Sequence, residues 1–351
     1  MEVTFLNFLE QLLNYPVLII ITFLISGVVF VNGWIDVPNT IATCVSTRSL
    51  SPKKALAMAS IFNSLGVFVM SIFSSNVART IYNIADFEVG DTKQALATLC
   101  GGLIAIVLWT ALAWRFELPT SQSHAMIAGL SGAAIALHHG LSGINFDEWK
   151  KVLIGLVFSV IAGFLTGFVF TKIIEKICRY MDRRRTLPVF KKTQVLSGAA
   201  MAFMNGAQDG QKFIGIYLMG IFLASGVSGA QEFYIPIWLM ILCSLVMTLG
   251  TCIGGYKVIR TIGSKIVKME PYQGTATDFA GASCLLIFSI LGIPVSTSHT
   301  KVTSIMGVGA ARRISKVNWS VVKNMVLAWI LTFPGCGLLG GCITLIFMKI
   351  F

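Results

Sequence analysis

Apolar residues run along this chain in blocks as wide as a bilayer. Residues 55–74, 95–114, 152–171, 236–256 and 322–349 are such blocks, and a further one begins at Pro16. A helix needs roughly 20 apolar residues to cross the hydrocarbon core, and each block reaches that length. The ten-residue alternating segments of a membrane β-barrel are absent. The pattern predicts an all-α polytopic membrane protein of about 10–12 transmembrane or re-entrant helical segments. Composition agrees, with 55% hydrophobic and 12% charged residues, against about 25% charged in an ordinary soluble domain.

Charge then orients the blocks. A net charge of +12 could suggest nucleic acid, but the basic residues fall in short loops between spans, where the positive-inside rule expects them, and no nucleic-acid partner is implied. Eight cysteines lie in apolar segments without a C-x-x-C pair, so they read as buried packing residues rather than a metal site or a disulfide framework. The N-terminal stretch has Glu2 and Glu10 and no Lys or Arg before Arg48. It lacks the basic n-region of a cleaved signal, so the first apolar segment is expected to stay in the mature protein.

Residues 172–192 carry eight Lys or Arg against Glu175 and Asp182, and read as a cytoplasmic connector between a first repeat, 1–171, and a second, 193–351. The motifs recur across it. Asp36 in "NGWIDVPNT" maps to Asp209 in "NGAQDGQKF" at an offset of 173, while "PTSQSH" from Pro119 maps to "PVSTSH" from Pro294 at 175, as does Gly132 to Gly307. The chain is therefore an internal duplication.

Counting spans backwards from an inside connector places 139–150 outside, 115–118 inside, 75–94 outside, 35–54 inside and the N-terminus outside. Asp86, Glu88 and Asp91 then outnumber Arg79 and Lys93 outside, and Arg48, Lys53 and Lys54 sit inside. Counting forwards places 210–234 outside, and 257–276 and 312–321 inside, with Lys257, Arg260, Lys265, Lys268, Arg312, Arg313 and Lys316. Each half crosses an odd number of times, so the repeats are inverted, as in many secondary transporters. The segments after Pro119 and Pro294 either span or re-enter, since proline, hydroxyls and glycine interrupt them.

An ionisable group inside a membrane segment costs a few kcal/mol or more and is a functional candidate by default. Asp36, Asp209, Lys212 and Asp278 qualify. Capping a helix end at the interface is the plain alternative, weakened for Asp36 and Asp209 because each has Asn and Gly four and three residues before it: Asn32 and Gly33, then Asn205 and Gly206. Asp278 either holds an ion or sits solvated at the interface. The second constellation is Thr120, Ser121, Gln122, Ser123 and His124, matched by Val295, Ser296, Thr297, Ser298 and His299. Hydroxyls just after a proline can sit beside the free N–H groups of a helix N-terminus, which attracts anions. Simple N-capping is the competing account.

Two such termini facing one another would enclose a tetrahedral oxyanion, while Asp36 and Asp209 bind a coupling cation or a proton. A carboxylate also accepts a hydrogen bond from hydrogen phosphate, which sulfate at neutral pH cannot offer. His124 and His299 either donate to substrate or fix the turn, with the structural role preferred. Lys212 replaces the Asn39 of the first copy and either attracts the anion or neutralises Asp209.

At these residues the chain resembles the inorganic phosphate transporter (PiT) family, with its G-A-N-D-V-A-N-A-like and P-x-S-x-S/T-H-like motifs in both halves. Gly33, Asp36 and Asn39 match the first motif, with Ile35 where the family often has a polar residue. Gly206, Gln208 and Asp209 match the second, with Lys212 in place of the final Asn. Ser121, Ser123, Ser296, Thr297 and Ser298 match the Ser/Thr loops, and Asp278 falls where the family tends to have an acid. The likeness covers nearly the whole chain, without the long central domain of larger relatives.

The resemblance implies a multi-pass plasma-membrane symporter importing inorganic phosphate by alternating access, driven by Na+ or H+, with no cofactor and a homodimer left open. Substrate binding is expected of Asn32, Asn205, Ser121, Gln122, Ser123, Ser296, Thr297 and Ser298, and ion coupling of Asp36, Asn39, Asp209 and Asp278. The main rival is a sulfate permease of the same family, since some bacterial members move sulfate. A passive anion channel is a lesser one, because paired carboxylates would repel its anion. An intramembrane hydrolase using Ser123 or Ser298 with a histidine lacks a G-x-S-x-G elbow and would need only one copy of the site, so the chain is expected not to be an enzyme.

Overall fold

The computed structural model describes residues 4–87, 91–115, 120–225, 234–253, 255, 259 and 266–350. Thirteen helices are described: α1 Phe5–Asn14, α2 Pro16–Ile35, α3 Val37–Ser46, α4 Pro52–Phe73, α5 Asn76–Tyr82, α6 Thr92–Arg115, α7 Gln122–Leu137, α8 Phe146–Ile177, α9 Arg183–Ser225, α10 Ile237–Ile253, α11 Pro271–Ile290, α12 Thr297–Arg312 and α13 Trp319–Ile350. Among the described residues the β-structure is an isolated bridge between Ala85 and Ile144. Glu2, Glu88, Pro119, Lys257, Arg260 and Lys265 lie outside the described residues.

Among the described residues, five helical segments are long and apolar enough to cross a membrane: Pro16–Ser46, Pro52–Phe73, Thr92–Ala113, Phe146–Ile177 and Trp319–Ile350. Their outer faces are bare hydrocarbon. Leu153, Val157, Phe158, Ile161 and Leu165 of α8 and Leu327, Ile330, Leu331 and Leu338 of α13 are all exposed, an arrangement that water would penalise and lipid does not. Polar side chains are instead gathered in the centre. The cysteines divide: Cys44, Cys100, Cys243, Cys284 and Cys336 are buried and Cys178 is partly so, but Cys252 and Cys342 are exposed, which corrects the expectation that all eight pack internally.

The duplication is written into reciprocal close contacts. Gly33 of α2 lies so near the Met247 carbonyl of α10 that a Cβ would overlap it, and its counterpart Gly206 of α9 lies equally near the Asn63 carbonyl of α4. Likewise Gly132 of α7 meets the Gly337 carbonyl of α13, while Gly307 of α12 meets the Phe164 carbonyl of α8. Each half thus packs its counterpart elements against the other half in the same way, as a pseudo-two-fold requires.

Helices α7 and α12 run in opposite directions. The 32-residue α8 holds its two ends about 48 Å apart. Beside its N-terminus, the C-terminal end of α7 is fixed where the His138 ring nitrogen bonds the Asp86 carbonyl and Asp86 N–H donates to the Gly143 carbonyl. Beside its C-terminus, Arg312 at the end of α12 pairs with Glu175 at 3.5 Å and Glu270 at 3.7 Å.

Several segments counted as loops are helical. Residues 210–225 are buried helix within the 43-residue α9, not an outside loop. The polar group Gln208 to Lys212 interrupts the hydropathy without interrupting the helix, because its partners lie inside the protein. For the same reason residues 37–46, expected inside the cell, form the buried helix α3. Much of the basic connector is helical too, since α8 ends at Ile177 and α9 starts at Arg183.

Candidate functional site

Asp36 sits where one helix becomes another. Its backbone N–H still donates to the Asn32 carbonyl at 2.8 Å, but Pro38 follows two residues on, at the start of α3. Proline has no N–H to give the preceding turn, so the helix is interrupted at the carboxylate. Asp209 lies instead within unbroken α9.

The two carboxylates share a donor: Asn32 Nδ2 is 3.2 Å from Asp36 Oδ2 and 3.4 Å from Asp209 Oδ2. Asp36 Oδ1 also accepts from Asn39 Nδ2 at 3.2 Å and from Ser298 Oγ at 2.8 Å, and Asn39 Nδ2 reaches Ser298 Oγ at 2.9 Å. Asp209 accepts from Thr297 Oγ1 at 3.1 Å and pairs with Lys212 Nζ at 2.8 Å. Lys212 Nζ donates further to Ser123 Oγ at 2.7 Å and the Val295 carbonyl at 2.6 Å. Asp36 is 5% exposed, and Asp209 and Lys212 are each 1% exposed, so the site is enclosed by protein.

The N-termini of α7 and α12 converge on this group. Ser121 caps α7 by accepting from His124 N–H, Ser296 caps α12 by accepting from His299 N–H, and the two hydroxyls bond each other at 2.8 Å. The capping account therefore finds its residues. Ser121 and Ser296 act as caps, while Ser123, Thr297 and Ser298 reach the charged groups.

Among the described contacts, neither Gln122 nor Asn205 bonds a carboxylate of the site. Gln122 Nε2 donates to the Val28 carbonyl of α2 at 2.8 Å, tying the start of α7 to a neighbouring helix. Asn205 is buried with its Nδ2 unpartnered, and none of its bonds among the described contacts reaches the carboxylates. The histidines favour packing. The His124 and His299 rings meet edge to face at 4.3 Å, His299 stacks on Trp329 at 3.6 Å, and His124 lies 4.6 Å from Phe333.

Asp278 belongs to a second centre. It is fully buried and ion-paired to Lys301 of α12, accepts from Thr43 Oγ1 at 2.9 and 2.8 Å, and accepts from Gln194 Nε2. Lys301 Nζ also donates to the Thr40 carbonyl at 3.0 Å. A solvated interface position is thus overturned, because the lysine offsets the cost of burying the carboxylate. Sequence reasoning missed Lys301, Thr43 and Gln194. The signal was available in Lys301 itself, a lysine in a buried helix of the same half as an unmatched aspartate. The counterparts in the other half, Met126, Ile216, Ile21 and Leu103, are apolar, so this centre exists once and the carboxylate site twice.

These features can hold charge of both signs: two carboxylates, one ammonium, hydroxyls and two helix N-termini in one enclosed polar centre, with the Asp278–Lys301 pair in a second. The model of the "Phosphate transporter family" matches residues 32–188 and 178–340. A "Probable low-affinity inorganic phosphate transporter" of Bacillus subtilis is 33% identical over 98% of this chain and 100% of its own length. One of the same description from Rhizobium meliloti is 35% identical over 94% of this chain and 96% of its own. The solved structure of "The sodium-dependent phosphate transporter" superposes with a TM-score of 0.87 at 24% identity, over 96% of this chain and 100% of that one. The chain is a member of the phosphate transporter family.

Proposed function

We propose that the protein imports inorganic phosphate across the plasma membrane by cation-coupled symport, with the two halves alternating around the enclosed site between Asp36 and Asp209. The observation that carries this is the meeting of two oppositely directed helix N-termini, capped by Ser121 and Ser296, over a pair of buried aspartates. Helix N-termini attract the anion through free N–H groups and dipole. The aspartates attract the cation, and each ion offsets the cost of bringing the other into a low-dielectric interior. Oppositely directed copies packed reciprocally can exchange their relative tilt, which opens a central site first to one side and then to the other.

Asp36, Asn39, Asp209 and Asp278 remain the residues for coupling, with Asp278 acting from its own centre beside α3 and α12. Ser123, Thr297, Ser298 and Asn32 remain for substrate, and Asn205 becomes available to it once its neighbours rearrange. Na+ is the favoured coupling ion, because the structural relative is described as sodium-dependent; H+ is the alternative. A hydrolase is disfavoured, since Ser123 is engaged by Lys212 and Ser298 by Asp36 and Asn39 rather than by a histidine.

Radiolabelled phosphate uptake into proteoliposomes, with Na+ and H+ gradients imposed separately and unlabelled sulfate as competitor, tests this. Concentrative uptake insensitive to sulfate supports it. Equilibration without concentration would make the protein a channel, and strong sulfate competition would make it a sulfate carrier.

A further inference from the structure

We infer that Lys212 is a tethered cation: at Asp209 its ammonium takes the place that a free coupling cation takes at Asp36, so each cycle carries one cation fewer than the duplicated site would otherwise hold. This rests on the symport reading above and adds its stoichiometry.

The ammonium has three N–H donors, and all three are used, on Asp209 Oδ1, Ser123 Oγ and the Val295 carbonyl. No donor is left for a phosphate oxygen, so direct anion binding is the weaker role for Lys212. Its partners are a carboxylate, a hydroxyl and a peptide carbonyl, the oxygen ligands a hard metal cation takes. The pseudo-two-fold carries Asp209 to Asp36, Ser123 to Ser298 and Lys212 to Asn39.

At the second location the same acceptors lack a built-in positive charge. Among the described contacts Asp36 is met by the neutral groups of Asn32, Asn39 and Ser298. A buried carboxylate with only neutral partners is costly until a cation or a proton joins it. The carbonyl oxygens Asn32 Oδ1 and Asn39 Oδ1 are buried without partners. Rotating either amide by half a turn presents that oxygen to an ion beside Asp36 in place of the N–H group. One location is therefore filled by the chain, and the other is left for the ion that moves.

The test uses the purified full chain in proteoliposomes and reads the initial rate of phosphate uptake against the concentration of whichever cation drives it. Wild type is expected to be first order in that cation. Lys212→Asn, which gives the second copy the residue of the first, is expected to become second order. Asn39→Lys, with both locations tethered, is expected to exchange phosphate across the membrane but not to concentrate it. A second-order wild type, or a Lys212→Asn variant that transports and stays first order, would overturn the inference.

If Lys212→Asn does not assemble, Asp209→Asn combined with Lys212→Met removes both charges together. That variant is expected to bind one driving cation, beside Asp36, in equilibrium dialysis, and a folded protein that binds none would overturn the inference. The wild-type order decides even if both variants fail to fold. Should wild type fail to concentrate phosphate under any cation gradient, the symport reading itself falls.

Discussion

The hydroxyls of Ser121 and Ser296, 175 residues apart, meet at 2.8 Å while each caps its own helix. An N-cap is worth about 0.5–2 kcal/mol, and here each cap also braces the other. Ser121→Ala and Ser296→Ala should each lower the melting temperature of the detergent-purified protein. Because both lose the one shared bond, the double variant should cost less than the sum of the singles. Strict additivity in thermal melts would show that the contact adds nothing to two independent caps.

Removing either carboxylate of the paired site should uncouple transport. Asp36→Asn and Asp209→Asn are each expected to abolish gradient-driven phosphate uptake in proteoliposomes while the protein still reaches the membrane. In Asp209→Asn the buried Lys212 also loses its counter-charge, a change that costs several kcal/mol, so that variant should be the less stable of the two. Retained uptake with unchanged ion dependence in both would remove these aspartates from coupling.

The pair Asp278 and Lys301 should behave as a unit. Lys301→Met alone strands a buried carboxylate and should destabilise the fold by about 3–5 kcal/mol. Adding Asp278→Leu installs the residues found at the equivalent places of the first half, Met126 and Leu103, and should recover much of that loss. Melting temperatures of the three proteins measure it. Uptake by the double variant separates roles: a stable but inactive protein assigns the pair to transport, and an active one assigns it to structure.

Close backbone contact between the halves depends on glycine. At Gly33 and Gly206 a Cβ would overlap the Met247 and Asn63 carbonyls respectively. Gly33→Ala and Gly206→Ala should each therefore force helices apart, at about 1–3 kcal/mol, and by similar amounts in the two copies. Thermal melts showing no loss would mean that α2 and α9 are free to shift away from their neighbours.

The histidines are expected to be dispensable for transport. Both rings are packed among Trp329, Phe333 and each other, and His299 has neither ring nitrogen bonded. His299→Phe keeps the stacked aromatic surface and should leave the uptake rate and its pH profile near wild type. A folded variant that has lost uptake would return His299 to the site.

Much of this was legible in the chain. Apolar blocks 20 residues long have one stable home, a bilayer, and in a bilayer the backbone must bond itself as helix. The all-α membrane class therefore needed no tertiary information, and the recurrence of Asp36 at Asp209 and of Ser121 at Ser296 pointed to a duplication and to those four residues as candidates. Local pattern misled where polarity was mistaken for solvent: residues 210–225 looked like a loop because Gln208 to Lys212 are polar, yet their partners are groups of the protein itself, among them the Ile293, Met70 and Val295 carbonyls.

The tertiary structure decided which groups meet. A hydrogen bond between residues 89 positions apart, such as Lys212 to Ser123, leaves no trace in helical periodicity, which records only which face is apolar. For that reason the sequence named Lys212 without its role, passed over Lys301, and gave no sign that Gln122 bonds the Val28 carbonyl of α2. Periodicity is a property of one helix, whereas the partners of a buried charge are set by the packing of several.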